Sequence, residues 1–548
     1  MRRAALLILL ALAGCGDDDG AAPPEGPLGF DVSGYEYQIE LPTMLTTARA
    51  KLQVSEAGDC ATIRYGLQGA DDVFLAGEPA AHFEVADGQL TACGAGWEAG
   101  ATVDLDVYFT HPLEKWEDSQ VGLTTSYHDS EGGTLTYLLS WVGECDRHGP
   151  CDDRADRFAS YRFDVTHPAD QQVLCAGTVT PGDGHTTCDF GFPGGPTYST
   201  FAFLASPSWT QSSLGDWSGI SVSLYDFPSS GVAAAFDAAG TRGFLEWMIA
   251  TFGPYPYGNE LRFVVAPSYW AGFEHPGNIA LDQSLGASTV DALRHTVIHE
   301  LGHQWAGDQT TLSELYDFVW KESMVEYLSF VYEEEAVAPA VALGTSSYWK
   351  EAAPSSLYYL VPDERPPLLD YYGDVYAPGP MILFRQIEAM YGRDDVLSAL
   401  QSLLGQAHAI GVAEVKAALE ASTGADLDAY YDAWVFGAAA PQWPKATVTL
   451  TPAAANMTEV AVTLATTDGV ARGCKFDVRL HGAQATDVLD VPFDFGPNGT
   501  AVAPQTVTTT FTVTGYDLDP ENECLVYDAN PMKPTRRAPY RVPGWRMR

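Results

Sequence analysis

The chain of 548 residues carries 29 Lys and Arg against 72 Asp and Glu, so its formal net charge is −43 at pH 7. Its hydrophobic content of 46% is that of an ordinary globular protein, with room for roughly two to four domains. Such acidity repels the phosphates of nucleic acids, and we expect no nucleic-acid partner. A well-solvated surface explains the acidity more simply than a specific cationic partner does.

The N-terminus has the features of an export signal. Two arginines precede the apolar run Ala4 to Ala13, which is too short to span a bilayer. The stretch from Leu12 to Cys15 resembles the lipobox of bacterial lipoproteins. This resemblance implies that residues 1–15 are a lipoprotein signal, that Cys15 is lipidated, and that residues 16–29 form a flexible tether to the membrane at the cell envelope. An ordinary secretory signal with a chance cysteine is the alternative, and the protein is then secreted.

Eight cysteines remain after Cys15. An even number in an exported chain predicts disulfides, although the sequence alone does not fix their connectivity. The chain contains no pair of CxxC units, which argues against a zinc site made of cysteines. The simplest hypothesis pairs neighbours along the chain: Cys60 with Cys93, Cys145 with Cys151, Cys175 with Cys188, and Cys474 with Cys524.

The sequence pattern predicts a multidomain α+β protein. Residues 30–227 alternate apolar and polar side chains between clusters of Gly, Pro and Asp, which predicts an N-terminal β-domain. Residues 228–442 have mainly helical spacing around a strand at Leu261–Ala266. Alternation returns in residues 443–531, which predicts a β-sandwich. The basic tail, residues 532–548, is either disordered or docked on the acidic body.

A short histidine motif marks the centre of the predicted helical part. His299 and His303 are four residues apart, so on a helix they share one face and can bind one zinc ion. Glu300 lies beside them as a candidate general base. A catalytic zinc needs a third protein ligand, and Gln309 stands where a metzincin site requires histidine. Glu322, on a second helix predicted over about 315–334, can return its carboxylate to the two imidazoles.

The segment from His299 to Trp305, followed by Glu322, resembles the pattern HExxHQW…NEGxAxY of the aminopeptidase N and leukotriene-hydrolase family of gluzincins. Lys321 and Ser323 stand where this family has Asn and Gly. The resemblance implies a saddle-like N-terminal β-sheet domain, a thermolysin-like and mainly helical catalytic domain, and a C-terminal β-sandwich. It also implies one catalytic Zn²⁺ per chain, held by three residues: His299, His303 and Glu322.

Two acidic or basic side chains near the motif have alternative interpretations. Glu326 follows Glu322 by one turn, where related architectures place an acid that hydrogen-bonds a ligand histidine. A solvated helix face is the alternative interpretation of Glu326. His295 precedes His299 by one turn and could be an extra ligand. Because three ligands already complete the site, we expect His295 to be an ordinary helix histidine, partly buried or exposed.

A glycine-rich stretch matches the family's peptide-binding motif. Gly272, Phe273 and Glu274 begin a segment that resembles GxMEN, with Phe273 in place of Met. The resemblance implies that small residues let an extended peptide pair with this backbone as an added strand. It also implies that the Glu274 carboxylate binds the free α-ammonium of the substrate.

A tyrosine motif matches the family's oxyanion-binding residue. The stretch from Val375 to Leu383 resembles YxKGAxVL, which implies that Tyr376 donates a hydrogen bond to the developing oxyanion. Tyr371 and Tyr372 are alternative candidates. The family's TQxEP element, which helps to bind the substrate amine, has no clear counterpart, and the nearest residues are Ser140 and Trp141.

The whole resemblance runs from about Gln89 to Pro444. The large helical fourth domain of long family members has no counterpart, which implies a more open cleft. We therefore expect a zinc metallopeptidase, an aminopeptidase of peptide substrates at the bacterial envelope, most simply a monomer. The alternatives are a zinc endopeptidase or other hydrolase with an open cleft, and a non-catalytic surface binding protein that keeps the fold.

Overall fold

A computed structural model of the chain describes residues 29–530, except 114–120, 127–130, 132, 269, 455, 501, 503 and 504. The predicted lipobox with Cys15, nearly all of the tether and the basic tail lie outside the described residues. Within the described ranges, no helix combines the length and the apolar character that crossing a bilayer requires.

The N-terminal part consists almost entirely of strands, as its alternating sequence predicts. The strands are β1 (Phe30–Glu40), β2 (Leu45–Val54), β3 (Gly58–Arg64), β4 (Asp72–Leu75), β5 (Glu78–Pro79), β6 (His82–Ala86), β7 (Gln89–Trp97), β8 (Thr102–Thr110), β9 (Gly122–Ser126), β10 (Leu135–Leu139), β11 (Phe158–Thr166), β12 (Gln172–Cys175), β13 (Thr178–Gly182), β14 (His185–Pro196), β15 (Ala202–Ser206), β16 (Thr210–Trp217) and β17 (Ile220–Asp226). A single helical turn, α1 (Thr197–Thr200), separates β14 from β15.

Strands β1 to β15 form three sheets of the β-domain. The largest has the order β13-β14-β11-β1-β2-β8-β4-β5, and two smaller ones have the orders β12-β15-β10-β9 and β3-β7-β6. In β1, the side chains of Tyr35, Tyr37 and Ile39 are buried and the residues between them are at least partly exposed, as the period of two in a strand requires. β1 pairs antiparallel with β2 and parallel with β11, so it joins the two halves of the large sheet.

All four predicted disulfides are present: Cys60–Cys93, Cys145–Cys151, Cys175–Cys188 and Cys474–Cys524. The first joins β3 to β7, and the third joins β12 to β14. Each bridge therefore closes a loop within one region of the fold.

The central part carries most of the helices. Its elements are α2 (Val232–Ala235), α3 (Ala238–Phe252), β18 (Glu260–Ala266), β19 (Gly272–Phe273), β20 (Asn278–Asp282), α4 (Val290–Gly302), β21 (Thr310–Leu312), α5 (Phe318–Tyr332), α6 (Pro339–Ala352), β22 (Val361–Pro362), α7 (Leu368–Val375), α8 (Pro378–Pro380), α9 (Gln386–Tyr391), α10 (Arg393–Leu403), β23 (His408–Ile410), α11 (Val412–Thr423), α12 (Asp428–Trp434) and β24 (Phe436–Gly437). Single π-helical turns follow α5, at Glu333–Val337, and α8, at Met381–Arg385.

A five-stranded sheet lies beside these helices, with the order β16-β17-β18-β20-β19. β17, β18 and β20 are parallel, whereas β16 and β19 are antiparallel to their neighbours. The sequence pattern assigns β16 and β17 to the N-terminal part, but the structure pairs them with the strands that follow. The reason is that β17 finds its parallel partner across the intervening helix α3, a pairing that local alternation does not reveal.

Two buried helices, α4 and α5, form the centre of this part. α4 begins at the cap residue Thr289, whose hydroxyl accepts the N–H of Ala292 at 3.2 Å. Every residue of α4 from Ala292 to Gly302 is buried, as is every residue of α5. A Cβ atom on Gly302 would lie 2.9 Å from the Val325 side chain, so the glycine lets the two helices approach closely.

The C-terminal part returns to strands, as predicted. They are β25 (Lys445–Pro452), β26 (Thr458–Ala465), β27 (Lys475–His481), β28 (Val488–Asp494), β29 (Thr506–Thr508), β30 (Gly515–Leu518) and β31 (Tyr527–Asp528). They form a four-stranded sheet, β29-β26-β25-β31, and a three-stranded sheet, β28-β27-β30. Polar contacts hold this part against the helices: Lys350 pairs with Asp519 at 2.5 Å, and Gln386 accepts the N–H of Leu525 at 2.8 Å.

Candidate active site

The three predicted metal ligands come together where α4 and α5 meet. His299 Nε2 lies 3.1 Å from His303 Nε2 and 3.2 Å from Glu322 Oε2. His303 Nε2 lies 3.5 Å from the same carboxylate oxygen. Bonds of about 2.0–2.2 Å in a tetrahedral zinc site separate the ligand atoms by about 3.3–3.6 Å. The triangle of donor atoms therefore has close to the size that zinc requires.

The surroundings orient the ligand atoms toward one another. His303 Nδ1 lies 2.9 Å from the carbonyl of Ala306, a contact in which the ring nitrogen donates, so Nε2 keeps the lone pair that a metal needs. His299, His303 and Glu322 are no more than 5% exposed. Burial opposes the charge of Glu322, but the Lys321 ammonium outweighs it and holds the pKa of Glu322 well below its usual range.

A buried row of charged side chains continues from the ligand His299. Glu326 Oε1 lies 3.9 Å from His299 Nδ1, and Glu326 Oε2 lies 3.1 Å from His295 Nε2. The other nitrogen of His295 lies 3.0 Å from Glu333 Oε2, and Glu333 Oε1 lies 3.9 Å from Arg294 Nε. Glu326 is thus buried beside the candidate ligand His299 rather than on a solvated face.

The interpretation of His295 as an ordinary helix histidine needs correction. Its ring is 7% exposed and is held between Glu326 and Glu333. Burial opposes its charge, but Glu333 and Glu326 outweigh that effect and raise the pKa of His295 well above the usual range. Sequence patterns do not indicate this contact, because Glu333 lies in the π-helical turn beyond the end of α5.

Glu300, the predicted general base, is buried against the backbone of β19. A Cβ atom on Gly272 would lie 2.5 Å from the Glu300 carboxylate, so only glycine leaves room for this side chain. Burial raises the pKa of Glu300, and the carboxylates of Glu274 and Glu322 raise it further. A divalent cation beside Glu322 would offset this repulsion.

β19, which consists of Gly272 and Phe273, is an edge strand. It pairs with β20 on one side and ends the five-stranded sheet on the other. An extended peptide can add to such an edge through main-chain hydrogen bonds. The edge passes Glu300, so a peptide bound there lies beside the triangle of donor atoms.

The Glu274 carboxylate already has a cationic partner. Lys321 Nζ lies 2.5 Å from Glu274 Oε1 and 2.8 Å from Glu322 Oε1. Burial opposes the charge of Glu274, but the Lys321 ammonium outweighs it and lowers the pKa of Glu274. In the sequence, Lys321 differs only by standing where the resembled pattern has Asn, and nothing there indicates its pairing with Glu274.

Gln304 fixes the loop that carries Glu274, a role that the sequence analysis missed. Its Nε2 donates to the carbonyl of Glu274 at 2.8 Å, and its Oε1 accepts the N–H of Gly277 at the same distance. Gln304 Nε2 also donates to Asp308 at 3.0 Å, and Asp308 accepts from Ser199 of α1 at 2.6 Å. The turn that follows α4 therefore holds the loop of Glu274 directly and contacts the β-domain through Asp308.

The three tyrosine candidates lie in different places. The ring of Tyr376 is 5.9 Å from that of His299. Tyr371 donates its hydroxyl to the carbonyl of Leu360 and is committed there. Tyr372 faces the site: burial raises its pKa well above the usual range, and Glu322 and other active-site carboxylates add to the shift. Tyr376 and Tyr372 thus remain beside the reacting centre.

An aromatic wall lines the side of the site toward the β-domain. The Trp141 ring lies 5.7 Å from Trp270, 5.8 Å from Tyr372 and 6.1 Å from Phe318. Trp141 lies near the expected position of the missing TQxEP element. This part of the site therefore offers an aromatic surface.

Comparison with known proteins gives relatives for about half of the chain. Aminopeptidase N from Streptomyces lividans is 26% identical over 312 residues, which are 52% of this chain and 36% of that protein. Aminopeptidase 2 from Candida albicans is 24% identical over 249 residues, 42% of this chain and 26% of that protein. The chain thus matches about a third or less of the length of these curated relatives. No family model matches the chain.

Solved structures extend the similarity in fold to most of the chain. Aminopeptidase A from Legionella pneumophila, in complex with aspartic acid, has a TM-score of 0.70 and 13% identity, over 92% of this chain and 60% of its own. An M1 zinc metallopeptidase from Deinococcus radiodurans has a TM-score of 0.59 and 17% identity, over 72% of this chain and 91% of its own. A mutant of the latter, bound to a Tyr-Ser-Ala substrate, has a TM-score of 0.58. Together these similarities show that the chain has the fold of the M1 zinc metallopeptidases and resembles aminopeptidases in sequence over about half of its length.

Proposed function

We propose that this protein is a zinc aminopeptidase that removes residues from the N-termini of peptides. The observation that carries the proposal is the buried triangle of His299, His303 and Glu322, with Glu300 next to it and an open strand edge alongside. The names of the sequence relatives support the same activity. Each chain has one such triangle in its active site, so we propose one zinc ion per chain.

Different residues of the chain have different roles in peptide hydrolysis. A bound zinc ion would acidify water and polarise the scissile carbonyl. Glu300 takes the proton from the attacking water and passes it to the leaving amine. Tyr376 donates a hydrogen bond to the oxyanion that develops on the carbonyl. The backbone of β19 holds the peptide extended across these groups.

Glu274 sets the register of the substrate. Its carboxylate lies on the loop after β19, near the place that the N-terminal residue of a peptide on this edge would occupy. An ion pair between Glu274 and the α-ammonium positions the first peptide bond at Glu300. Because Glu274 also pairs with Lys321, the substrate α-ammonium shares this carboxylate with the lysine ammonium.

We also propose the domain division and the location. The β-domain comprises residues 30–227, the thermolysin-like catalytic domain residues 228–442, and the β-sandwich residues 443–531. Strands β16 and β17 complete the sheet of the catalytic domain. The lipobox-like stretch supports an envelope lipoprotein anchored on Cys15, and so do the four disulfides of the described residues. If so, in detergent phase partition Cys15→Ala moves the protein from the detergent phase to the aqueous phase. We also propose that the protein is a monomer, which gel filtration tests.

A fluorogenic substrate panel tests the activity. The zinc-loaded protein is given aminoacyl coumarin amides with either a free or an acetylated amine, and Glu300→Gln is the catalytic control. Cleavage of free-amine substrates that is lost in Glu300→Gln supports the proposal. Equal cleavage of acetylated substrates means an endopeptidase or another hydrolase. Activity that survives Glu300→Gln contradicts the assigned site.

A further inference from the structure

Glu274, the carboxylate proposed to bind the substrate amine, is already paired with Lys321. The Lys321 side chain is 4% exposed, and its ammonium lies between Glu274 Oε1 at 2.5 Å and Glu322 Oε1 at 2.8 Å. Glu322 directs its other oxygen, Oε2, toward His299 and His303. One ammonium therefore joins the amine-binding carboxylate to the third metal ligand.

Packing holds the Lys321 side chain in this position. A Cβ atom on Gly307 would lie 2.9 Å from Lys321 Cε and 3.0 Å from Cγ, so the lysine stem rests on the bare backbone of that glycine. The Tyr198 ring of the β-domain lies 5.2 Å from Nζ on another side. The ammonium is thus built into the site and is not a surface group that happens to reach it.

A free peptide N-terminus brings a second ammonium to Glu274. Two like charges that share one buried carboxylate repel each other, and the low exposure of the site leaves little water to screen them. An acetylated N-terminus carries no charge and meets no such repulsion. The cation that the chain supplies therefore acts only against substrates with a charged amine.

We propose that Lys321 is a specificity-determining residue that competes with the substrate α-ammonium for Glu274 and so weakens selection for free N-termini. This inference rests on the proposed function, because it concerns the amine subsite of the same cleft. It makes the protein a less exclusive exopeptidase than a member with a neutral side chain at this position. The substrate class is thereby widened toward peptides whose N-terminus is uncharged.

Neutral substitutions of Lys321 test the proposal. In Lys321→Gln and Lys321→Asn, the ratio of kcat/KM for alanyl-coumarin amide to that for its N-acetyl form rises about tenfold or more, mainly through a lower KM for the free amine. Lys321→Arg keeps the charge and keeps the wild-type ratio. The ratio does not depend on the fraction of zinc-loaded protein, so a change in metal content does not imitate the effect. An unchanged ratio in both neutral variants overturns the proposal.

Equilibrium binding gives a readout apart from turnover. In a Glu300→Gln background, L-alaninamide binds about tenfold more tightly when Lys321 is Gln, whereas N-acetyl-L-alaninamide binds equally to both proteins. Lys350→Gln removes another largely buried lysine, paired with Asp519 away from the site, and leaves both affinities unchanged. Equal changes for the two ligands, or none, contradict the competition.

The two proposals fail in different ways. If no peptide is cleaved by the zinc-loaded wild type but L-alaninamide binding responds to Lys321→Gln, the proposed activity is wrong and the amine competition stands. If peptides are cleaved and neither the ratio nor the binding responds, the activity stands and the competition is wrong. Melting curves establish that each variant is folded. The Asn and Gln side chains differ in length, so a packing defect in one variant leaves the other as the neutral test.

Discussion

His295 Nε2 lies 3.1 Å from Glu326 Oε2, and both side chains are buried beneath the candidate metal centre. The other oxygen of Glu326 faces the ligand His299, so one carboxylate contacts the metal site and a cation at the same time. The cation is needed because a lone carboxylate in such a place is costly to bury. His295 thus pairs with Glu326 at a place where the other carboxylate oxygen can orient the candidate ligand His299.

The first prediction concerns Glu326. Glu326→Gln keeps the shape of the side chain and removes its charge, so the His299 ring loses the partner that orients it. We expect zinc affinity to fall about 10–100-fold, as measured by competition with a chromogenic chelator. Glu335→Gln, an exposed residue in the turn after α5 that pairs with Arg393, is the control and keeps wild-type affinity. Equal affinities in the two variants would show that Glu326 does not support the metal.

The second prediction concerns removal of the metal. Because His299, His303 and Glu322 are buried and close together, a metal that joins them stabilises only the folded state. With free zinc at about 100 times its Kd, the free energy of unfolding rises by about 2.7 kcal/mol, and chelation removes that increment. Differential scanning calorimetry with and without EDTA measures the difference. Glu322→Gln abolishes the response to zinc, and a melting temperature that still depends on zinc in this variant contradicts the ligand assignment.

The third prediction separates the two tyrosines. Tyr376→Phe removes the proposed donor to the oxyanion and lowers kcat about 10²–10³-fold with little change in KM. Tyr372→Phe is the matched variant, since it removes a hydroxyl that also faces the active-site carboxylates. Steady-state kinetics on one free-amine substrate compare the two. The reverse order of losses assigns the role to Tyr372.

The fourth prediction concerns acid stability and the β-domain. Burial lowers the pKa of His111 to about 4, and the centre of its ring lies 5.8 Å from that of the buried His148 ring, which is tilted against it. The unfolded chain protonates this histidine below about pH 6.5, whereas the folded protein stays neutral down to about pH 4. Between about pH 6.5 and pH 4 the unfolded state therefore binds more protons than the folded state. The free energy of unfolding decreases as the pH falls through this range.

Urea titrations at pH 7 and pH 5 measure this loss. Wild type loses stability between the two values, and His111→Gln, which does not titrate, loses less. His185→Gln serves as the control, because that ring is largely exposed on the same domain. An identical pH slope in His111→Gln and wild type excludes this histidine as the cause.

Local sequence patterns predicted most of the elements and the three candidate metal ligands that the structure brings together. Two histidines on one helical turn and a glutamate on the next helix define the triangle, because spacing along helices sets which side chains share a face. Alternation predicted the strands, and local pairing predicted the disulfides. These features depend on neighbours in the sequence, which is why they can be read from it.

Contacts between distant residues were not predictable in the same way. Lys321 meets Glu274 across a helix and a sheet edge, and His295 meets Glu333 beyond the end of α5. In the sequence alone, none of these four residues differs from an ordinary charged residue on the surface. Sequence alternation also did not reveal that β17 pairs with β18, since strand pairing depends on which edge is free after the chain has folded.

The parallel pairing of β1 with β11 has a consequence for how the chain reaches this fold. Seven residue pairs, from Gly34 with Ser160 to Glu40 with Thr166, join segments separated by most of the β-domain. β1 and β2 can pair soon after synthesis, but the other edge of β1 stays open until β11 has emerged. A high contact order of this kind slows folding and leaves an unpaired strand edge exposed meanwhile. Nascent chains of this protein are therefore most prone to aggregate in the interval between the two strands.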